Sequence, residues 1–346
     1  MCRHLGYVGP PVGVGELVMR GPHSLYAQSW APTDMRAGGT INADGFGVAW
    51  WRRADVGIES ARDAVTRYRN QAPIWTDPAV AEVLGQLESR SVLAAVRSAT
   101  VGMPVERSAC APFTDEHWAF SHNGVIPDWR TTLVAVVADL NEAFAVGADT
   151  SARSDSGEVS GASVSVADEM PAAATLGTDT SVRMRPSARS ADVPSVVAES
   201  AEADAPECDG LPSSAVLFGS PAVLLRAEAL TDSAALWVLL RGLLGAIDPD
   251  GPVTSPADAL QLLVAAVLRH QPKARLNLLL GNGIQLWATT CWHALSVLVA
   301  DDYTVLSSEP YDADPRWQSI ADHQLVTATP GHCTTTELPA TERARS

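Results

Sequence analysis

The sequence predicts a layered α+β fold, and three observations carry that reading. Stretches of strand length recur in both halves of the chain, and five follow one another in the second half without an intervening helical pattern. Two helical patterns with apolar faces stand together before that run, instead of alternating with strands as βαβ units require. Between the halves, residues 147–214 differ in composition from everything around them.

The elements follow in order. Residues 2–8 alternate in part and stop at Gly9-Pro10-Pro11, which predicts a first strand. Residues 14–19 are short and apolar, a candidate helix, and residues 26–32 read as a loop. Residues 41–47 form a glycine-punctuated turn that leads into a strand at 48–51. Residues 64–68 predict another strand. Val80, Val83, Leu84 and Leu87 have helical spacing within 78–89. The apolar run 92–96 is short enough for a buried strand and delivers Arg97 at its end. Residues 117–121 predict a strand followed by His122-Asn123-Gly124, and 129–144 a helix.

Residues 147–214 hold twelve acids and four arginines, half of the net charge of −16, and are rich in Ala, Ser and Pro. Such a segment buries too little apolar surface to offset its ordering entropy. It reads as a disordered insertion in a single domain spanning 2–346. Pattern then resumes. Thr231-Asp232-Ser233 sits at a helix N-cap, followed by Leu236, Leu239, Leu240, Leu243 and Leu244 on one face. Ser255 caps a second helix through residue 268. Strands are expected at 276–280, 284–289, 294–299, 304–307 and 325–329, with Asn282-Gly283 as a hairpin turn.

Composition excludes several functions. At net charge −16 and pI near 4.8, nucleic acid is not an expected partner. No apolar run reaches about 18 residues, so no membrane span is expected. The start of the chain lacks a basic stretch followed by an apolar one, which argues against a secretory signal. Five dispersed cysteines suit a reducing cytoplasm better than a disulfide framework. Cys291-Trp292-His293 and His332-Cys333 lack the spacing of a zinc site. Neither a metal nor another cofactor is expected.

The chemistry centres on Cys2. It follows Met1 directly, and cysteine is small enough to permit aminopeptidase trimming. Trimming leaves one residue with a thiol nucleophile and an α-amine of reference pKa about 8, able to act as its base. The alternative is an incidental cysteine at a frayed terminus. Arg97, at a strand end, either holds a carboxylate by two parallel hydrogen bonds or forms a surface ion pair. Asn123-Gly124 places an amide beside a glycine N–H, two donors suited to an oxyanion in acyl transfer, or makes an ordinary turn. Asp232 either accepts from a substrate ammonium or simply complements a helix start. Ser308-Glu309 closes a late strand, and a plain loop is the alternative there.

Together Cys2, Asn42-Ala43-Asp44-Gly45, Arg97 with Ala99-Thr100 and Gly102, Asn123-Gly124, Thr231-Asp232-Ser233 and Ser308-Glu309 resemble the class II glutamine amidotransferase group of N-terminal-nucleophile hydrolases. Within that group residues 2–6, 42–47, 96–104, 111–114 and 308–317 look most like the γ-glutamyl hydrolases of ergothioneine biosynthesis. The resemblance spans nearly the whole chain except the insertion. It implies a four-layer αββα sandwich of two antiparallel sheets. It also implies that Cys2 attacks a γ-glutamyl carbonyl, that Asn123 and Gly124 hold the oxyanion, and that Arg97 takes the α-carboxylate. Asp232 takes the α-ammonium, with Thr100 a secondary candidate for the same pocket. Val101 stands where many amidotransferases have a histidine.

The implied reaction is hydrolysis of γ-glutamyl-hercynylcysteine S-oxide, a small-molecule substrate, through a Cys2 thioester in the cytoplasm. Without the insertion the motifs fill the chain from Cys2 to Glu309, so no obligatory synthase subunit is expected. Other readings stay open: a glutaminase subunit, a general γ-glutamyl peptidase, or a non-catalytic glutamyl-binding module. A trimethylated ammonium on the substrate would suit a tryptophan face, with Trp30 and Trp75 as candidates.

Overall fold

The computed structural model describes residues 2–34, 41–52, 63–154 and 216–339. The first strand is longer than expected: β1 (Arg3–Gly13) runs through Gly9-Pro10-Pro11, and its pairing shifts register between Val8 and Val12. A bulge lets the prolines pass without ladder donors. The strand continues into α1 (Val14–Met19) and α2 (Leu25–Gln28). The latter is a short turn of helix where the sequence reads as loop, capped by Ser24 Oγ accepting from Ala27 N–H.

Next come β2 (Phe46–Arg52), β3 (Ala64–Asn70), α3 (Ala79–Glu82) and β4 (Glu88–Val96). The helix expected over 78–89 is thus corrected to one turn, a 3-10 turn at Leu84–Gln86 and the start of a strand. Gly85 weakens a helix at this point. A Cβ on Gly15 would lie 2.6 Å from the Gly85 nitrogen, so α1 packs directly on this broken segment.

The chain then makes β5 (Phe113–Thr114), β6 (Ala119–Val125) and α4 (Trp129–Ser154). β6 carries His122-Asn123-Gly124 within the strand, a second correction, because the sequence ends the strand at residue 121. The acidic segment 147–214 lies outside the described residues, except that its first eight continue the backbone of α4. After it α5 (Asp232–Gly245) and α6 (Pro256–His270) start at their expected caps. Thr231 Oγ accepts from Ala234 N–H, and Ser255 Oγ from Asp258 N–H.

The remaining strands are β7 (Arg275–Gly281), β8 (Leu286–Thr290), β9 (Ser296–Val299), β10 (Thr304–Ser307), β11 (Trp317–Ser319), β12 (Gln324–Thr329) and β13 (His332–Glu337). Two antiparallel sheets result. One has the order β11-β9-β10-β1-β4-β2-β3, the other β13-β12-β8-β7-β6-β5.

Alternation along the strands builds four layers. Leu5, Val48 and Val92 face α1 and its neighbours on one outer side. Leu276, Leu278 and Leu280 face the helices α4, α5 and α6 on the other. Leu93, Leu279, Leu306 and Val326 fill the space between the sheets. The expected αββα sandwich is therefore the observed one. Among the described residues no helix is long and apolar enough to cross a membrane.

Candidate active site

Cys2 stands at the head of β1, the middle strand of the seven-stranded sheet. Arg3 pairs with Val96 of β4, which brings Cys2 to the loop that follows β4. Its Sγ lies 3.6 Å from the Ser98 carbonyl oxygen, and the residue is half-buried. Burial pushes the thiols of Cys110 and Cys291 up to about 11 and about 12, so those two remain protonated and inert near neutral pH. All four described cysteines are free.

The Arg97 loop is held by the 42–45 turn. Asp44 N–H donates to Arg97 O at 2.9 Å and Arg97 N–H to Gly45 O at 2.8 Å. An Asp44 carboxylate oxygen accepts from Ala99 N–H at 2.7 Å. Gly45 has φ +113°, and a Cβ there would lie 2.4 Å from Cys110 Sγ, so only glycine fits. The Arg97 guanidinium makes one hydrogen bond among the described residues, 3.5 Å to Asp44 O. It therefore keeps donor capacity for a carboxylate.

Across the sandwich β6 supplies Asn123, which is 1% exposed. Its Nδ2 donates to Ser308 Oγ at 3.4 Å, which occupies one of two amide hydrogens. Its Oδ1 is buried with no hydrogen-bond partner among the described residues. Ser308 follows β10 and clasps β1: Ser308 N–H donates to His4 O, and His4 N–H to Ser308 Oγ, both at 3.0 Å. One hydroxyl thus ties the strand of Cys2 to the amide of Asn123. Glu309 extends the tie. It pairs with Arg3 at 2.8 Å, where both side chains are under 5% exposed, and accepts from Thr33 and Asp34 N–H. Burial opposes its charge, but the Thr33 and Arg3 contacts outweigh that and hold its carboxyl below the usual range.

Gly124 faces the opposite side of β6. A Cβ there would fall 1.9 Å from Arg275 O and 2.5 Å from His122 Nε2, so the close approach of β7 requires glycine. Asp232, 6% exposed, opens α5 and reaches back to this strand. One carboxylate oxygen accepts from Ile126 N–H at 2.9 Å, the other from Ser233 N–H at 2.8 Å. His122 donates from Nε2 to Arg275 O at 2.8 Å, which leaves Nδ1 to accept from Ser233 Oγ at 3.0 Å.

Cys2, Arg97, His122 and Ser233 line one cavity of ≈ 20 Å³, room for about one water. Thr100 is exposed and borders a different cavity of ≈ 510 Å³, opposite Ile126 and Pro127. Val101 is fully exposed. Trp30 and Trp75 meet edge to face at 5.8 Å, with Tyr26 against Trp30 at 4.9 Å.

Three contributions were not foreseen. His4 and His293 are buried beside the site, and burial, reinforced by neighbouring cations and histidines, depresses both to about 3. Arg275 heads β7. Burial lowers its pKa, and the nearby Asp232 carboxylate and Cys2 counter that. A lone arginine opening an apolar strand was the available signal. Ser308 was visible as a motif, but its partners depend on a register that no local pattern reveals.

Known proteins resemble this chain along its length. The family described as class-II glutamine amidotransferases matches residues 23–145. The gamma-glutamyl-hercynylcysteine sulfoxide hydrolase of Mycolicibacterium smegmatis is 31% identical over 340 residues, 98% of this chain and all of the relative. The protein of that name from Mycobacterium tuberculosis is 32% identical, over 98% and 97%. Among solved structures, a glutamine aminotransferase class-II domain protein from Silicibacter pomeroyi matches 98% of this chain and 100% of its own, with 18% identity and TM-score 0.47.

Proposed function

The chain belongs to the gamma-glutamyl-hercynylcysteine sulfoxide hydrolase family, which is of the class-II glutamine amidotransferase type, and from that premise we propose how its residues divide the reaction. It is an amidohydrolase that cleaves the γ-glutamyl amide of γ-glutamyl-hercynylcysteine S-oxide and releases glutamate and hercynylcysteine S-oxide.

Removal of Met1 frees the Cys2 α-amine. That amine takes the thiol proton, and Sγ attacks the γ-carbonyl carbon. The carbonyl oxygen becomes an oxyanion, held by the second Asn123 Nδ2 hydrogen and the Gly124 N–H. The C–N bond breaks as the α-ammonium returns its proton to the leaving amine. A γ-glutamyl thioester remains on Cys2, and water, deprotonated by the same α-amine, hydrolyses it. Arg97 takes the α-carboxylate, and Asp232, helped by Thr100, takes the α-ammonium. The α-amine is the fitting base because His4 and His293, at about 3, are too weak to accept a proton usefully near pH 7, and both ring nitrogens of His122 are engaged, by Ser233 Oγ and Arg275 O. The enzyme acts alone, in the cytoplasm.

The observation that carries this division is the tie from Cys2's strand through Ser308 Oγ to Asn123. It holds nucleophile and oxyanion donor in one rigid frame. The test is intact mass of the purified protein together with product analysis on γ-glutamyl-hercynylcysteine S-oxide. Loss of Met1 with release of glutamate and the sulfoxide amine is expected. Retained Met1 with full turnover would remove the α-amine from the mechanism.

A further inference from the structure

Two polar side chains beside Cys2, His122 and Ser233, have no step in the chemistry described above, and strand and helix geometry bring them together. Phe120 and His122 stand two residues apart on β6, about 6.8 Å, on one face of the sheet. Trp237 and Ser233 stand four residues apart on α5, about 6 Å along one face of the helix. The two spacings nearly match. Phe120 therefore stacks on Trp237 with ring centroids 5.6 Å apart, and His122 meets Ser233 one step further on. The imidazole is buried and lies against the Gly124 backbone, where a Cβ would come within 2.5 Å of Nε2.

Donor counting places the hydrogens along this chain. A carbonyl only accepts, so the 2.8 Å contact with Arg275 O puts a proton on His122 Nε2 and makes Nδ1 of the neutral ring an acceptor. Ser233 has one hydroxyl hydrogen and two acceptors in reach, His122 Nδ1 at 3.0 Å and Asp232 Oδ1 at 3.3 Å. The shorter contact takes the hydrogen, and both Oγ lone pairs stay available. Asp232 Oδ1 then serves the Ser233 N–H and keeps room for a further donor. Without an acceptor at Nδ1 the hydroxyl would turn to Asp232 and fill that room.

The placement of Ser233 gives this a use. Ser233 lines the cavity that Cys2 and Arg97 share, and Asp232 is the residue before it, buried behind the hydroxyl. A cation with N–H donors in that cavity meets a hydroxyl lone pair first and a carboxylate behind it. A hydroxyl turned the other way would offer a hydrogen to a group that has only hydrogens to give.

We propose that Ser233 Oγ accepts directly from the α-ammonium of the glutamyl group, and that His122 is the positioning residue that turns the hydroxyl to do so. The inference rests on the reaction and the Asp232 pocket assigned above. His122 acts through hydrogen placement, with the backbone of β7 holding its tautomer.

Calorimetric Kd values are compared for L-glutamate and for glutarate, which lacks the α-ammonium. The proteins are wild type, Ser233→Ala, Ser233→Thr, His122→Asn and His122→Gln. Ser233→Ala keeps the backbone N–H that serves Asp232. It should weaken L-glutamate about 10–100-fold, the range of one hydrogen bond to a charged group, and leave glutarate unchanged. Ser233→Thr should recover most of the loss. With γ-glutamyl-hercynylcysteine S-oxide the loss should appear in KM rather than kcat. An asparagine carries its amide where Nδ1 stands, a glutamine where Nε2 stands, so His122→Asn keeps an acceptor for Ser233 and His122→Gln does not. Only His122→Gln should weaken L-glutamate. Unchanged L-glutamate binding in Ser233→Ala would overturn the contact, and an equal loss for glutarate would overturn it as general damage. Equal losses in the two His122 variants, or none in either, would overturn the positioning role. Wild-type protein that binds L-glutamate no better than glutarate would overturn the ammonium pocket itself, and this inference with it.

Discussion

Replacing Ser308 by alanine removes one oxygen with two duties, and the structure sets the size of each effect. Ser308 is 3% exposed, and its Oγ is the acceptor for His4 N–H. Deleting it strands a buried backbone donor, which costs about 1–3 kcal/mol. The 3.4 Å contact from Asn123 adds less than an ordinary hydrogen bond. A loss near 2 kcal/mol corresponds to a fall in Tm of about 4–8 °C for a chain with this much ordered structure. The kinetic effect is separate. Losing a whole oxyanion donor lowers kcat by about 10²–10³, so Asn123→Ala, in the role proposed for it, sets the ceiling. Ser308→Ala leaves the amide present but unanchored and should lower kcat about 10–100-fold. KM should change little, because among the described residues Ser308 hydrogen-bonds to His4 and Asn123 and not to Arg97 or Asp232. The assay is steady-state kinetics on the four members of a double-mutant cycle with Asn123→Ala, alongside thermal unfolding. If Ser308 acts through Asn123, the double variant is no slower than Asn123→Ala. A kcat within twofold of wild type in Ser308→Ala, with Tm lowered as expected, would refute the positioning role and leave Ser308 a purely structural residue.

Three further outcomes follow from the same geometry. Cys2→Ala should abolish turnover and keep the wild-type circular dichroism and Tm; residual activity above a percent or so (on the scale of a lost nucleophile) would reject the nucleophile. Acid should destabilise the fold. His4 and His293 titrate near 3 when folded and near 6.5 when unfolded, so the unfolded chain binds more protons below pH 6.5. Their contribution is fully present above 6.5 and declines towards pH 3, by about 1.4 kcal/mol per pH unit for each histidine. Urea melts at pH 7, 6 and 5 should show it, and His293→Gln should flatten the slope by about one proton; identical slopes would contradict the buried neutral state. Gly124→Ala should cost at least about 3 kcal/mol, since its Cβ would overlap Arg275 O. Soluble, active Gly124→Ala protein with an unchanged Tm would mean that β6 and β7 do not approach as described.

Much of the fold was legible because burial writes itself into sequence. β4 and β7 lie between layers and read as apolar runs, and Thr231 and Ser255 announce their helices. The failures have physical causes. β6 reads as ending at residue 121 because His122-Asn123-Gly124 is polar and turn-like, yet each of these residues meets a specific partner. Asn123 meets Ser308, His122 meets Ser233, and Gly124 makes room for Arg275. β13 was missed because most of its side chains are exposed and it pairs with β12 alone. The expectation over 78–89 followed helical spacing and gave too little weight to Gly85. In the site, Cys2, Arg97, Asn123, Gly124 and Asp232 each carried a local chemical cue. Arg275 and the bridging role of Ser308 arise from cross-sheet register, which no window along the chain contains.

The Arg3–Glu309 pair joins residues 306 apart, and the strand of Cys2 sits between β4 and β10. At roughly 5–20 residues per second, about 15–60 s of translation separate Cys2 from Glu309. Through that interval β1 has one of its two neighbours, and Ser308, which ties it to Asn123, is not yet in place. A nascent chain that stalls before residue 308 therefore carries Cys2 without the Ser308 tie between β1 and Asn123, whose closure waits for contacts far apart in the chain. Production of the protein thus has a built-in timer: the last quarter of the message decides when the surroundings of the first residues are complete.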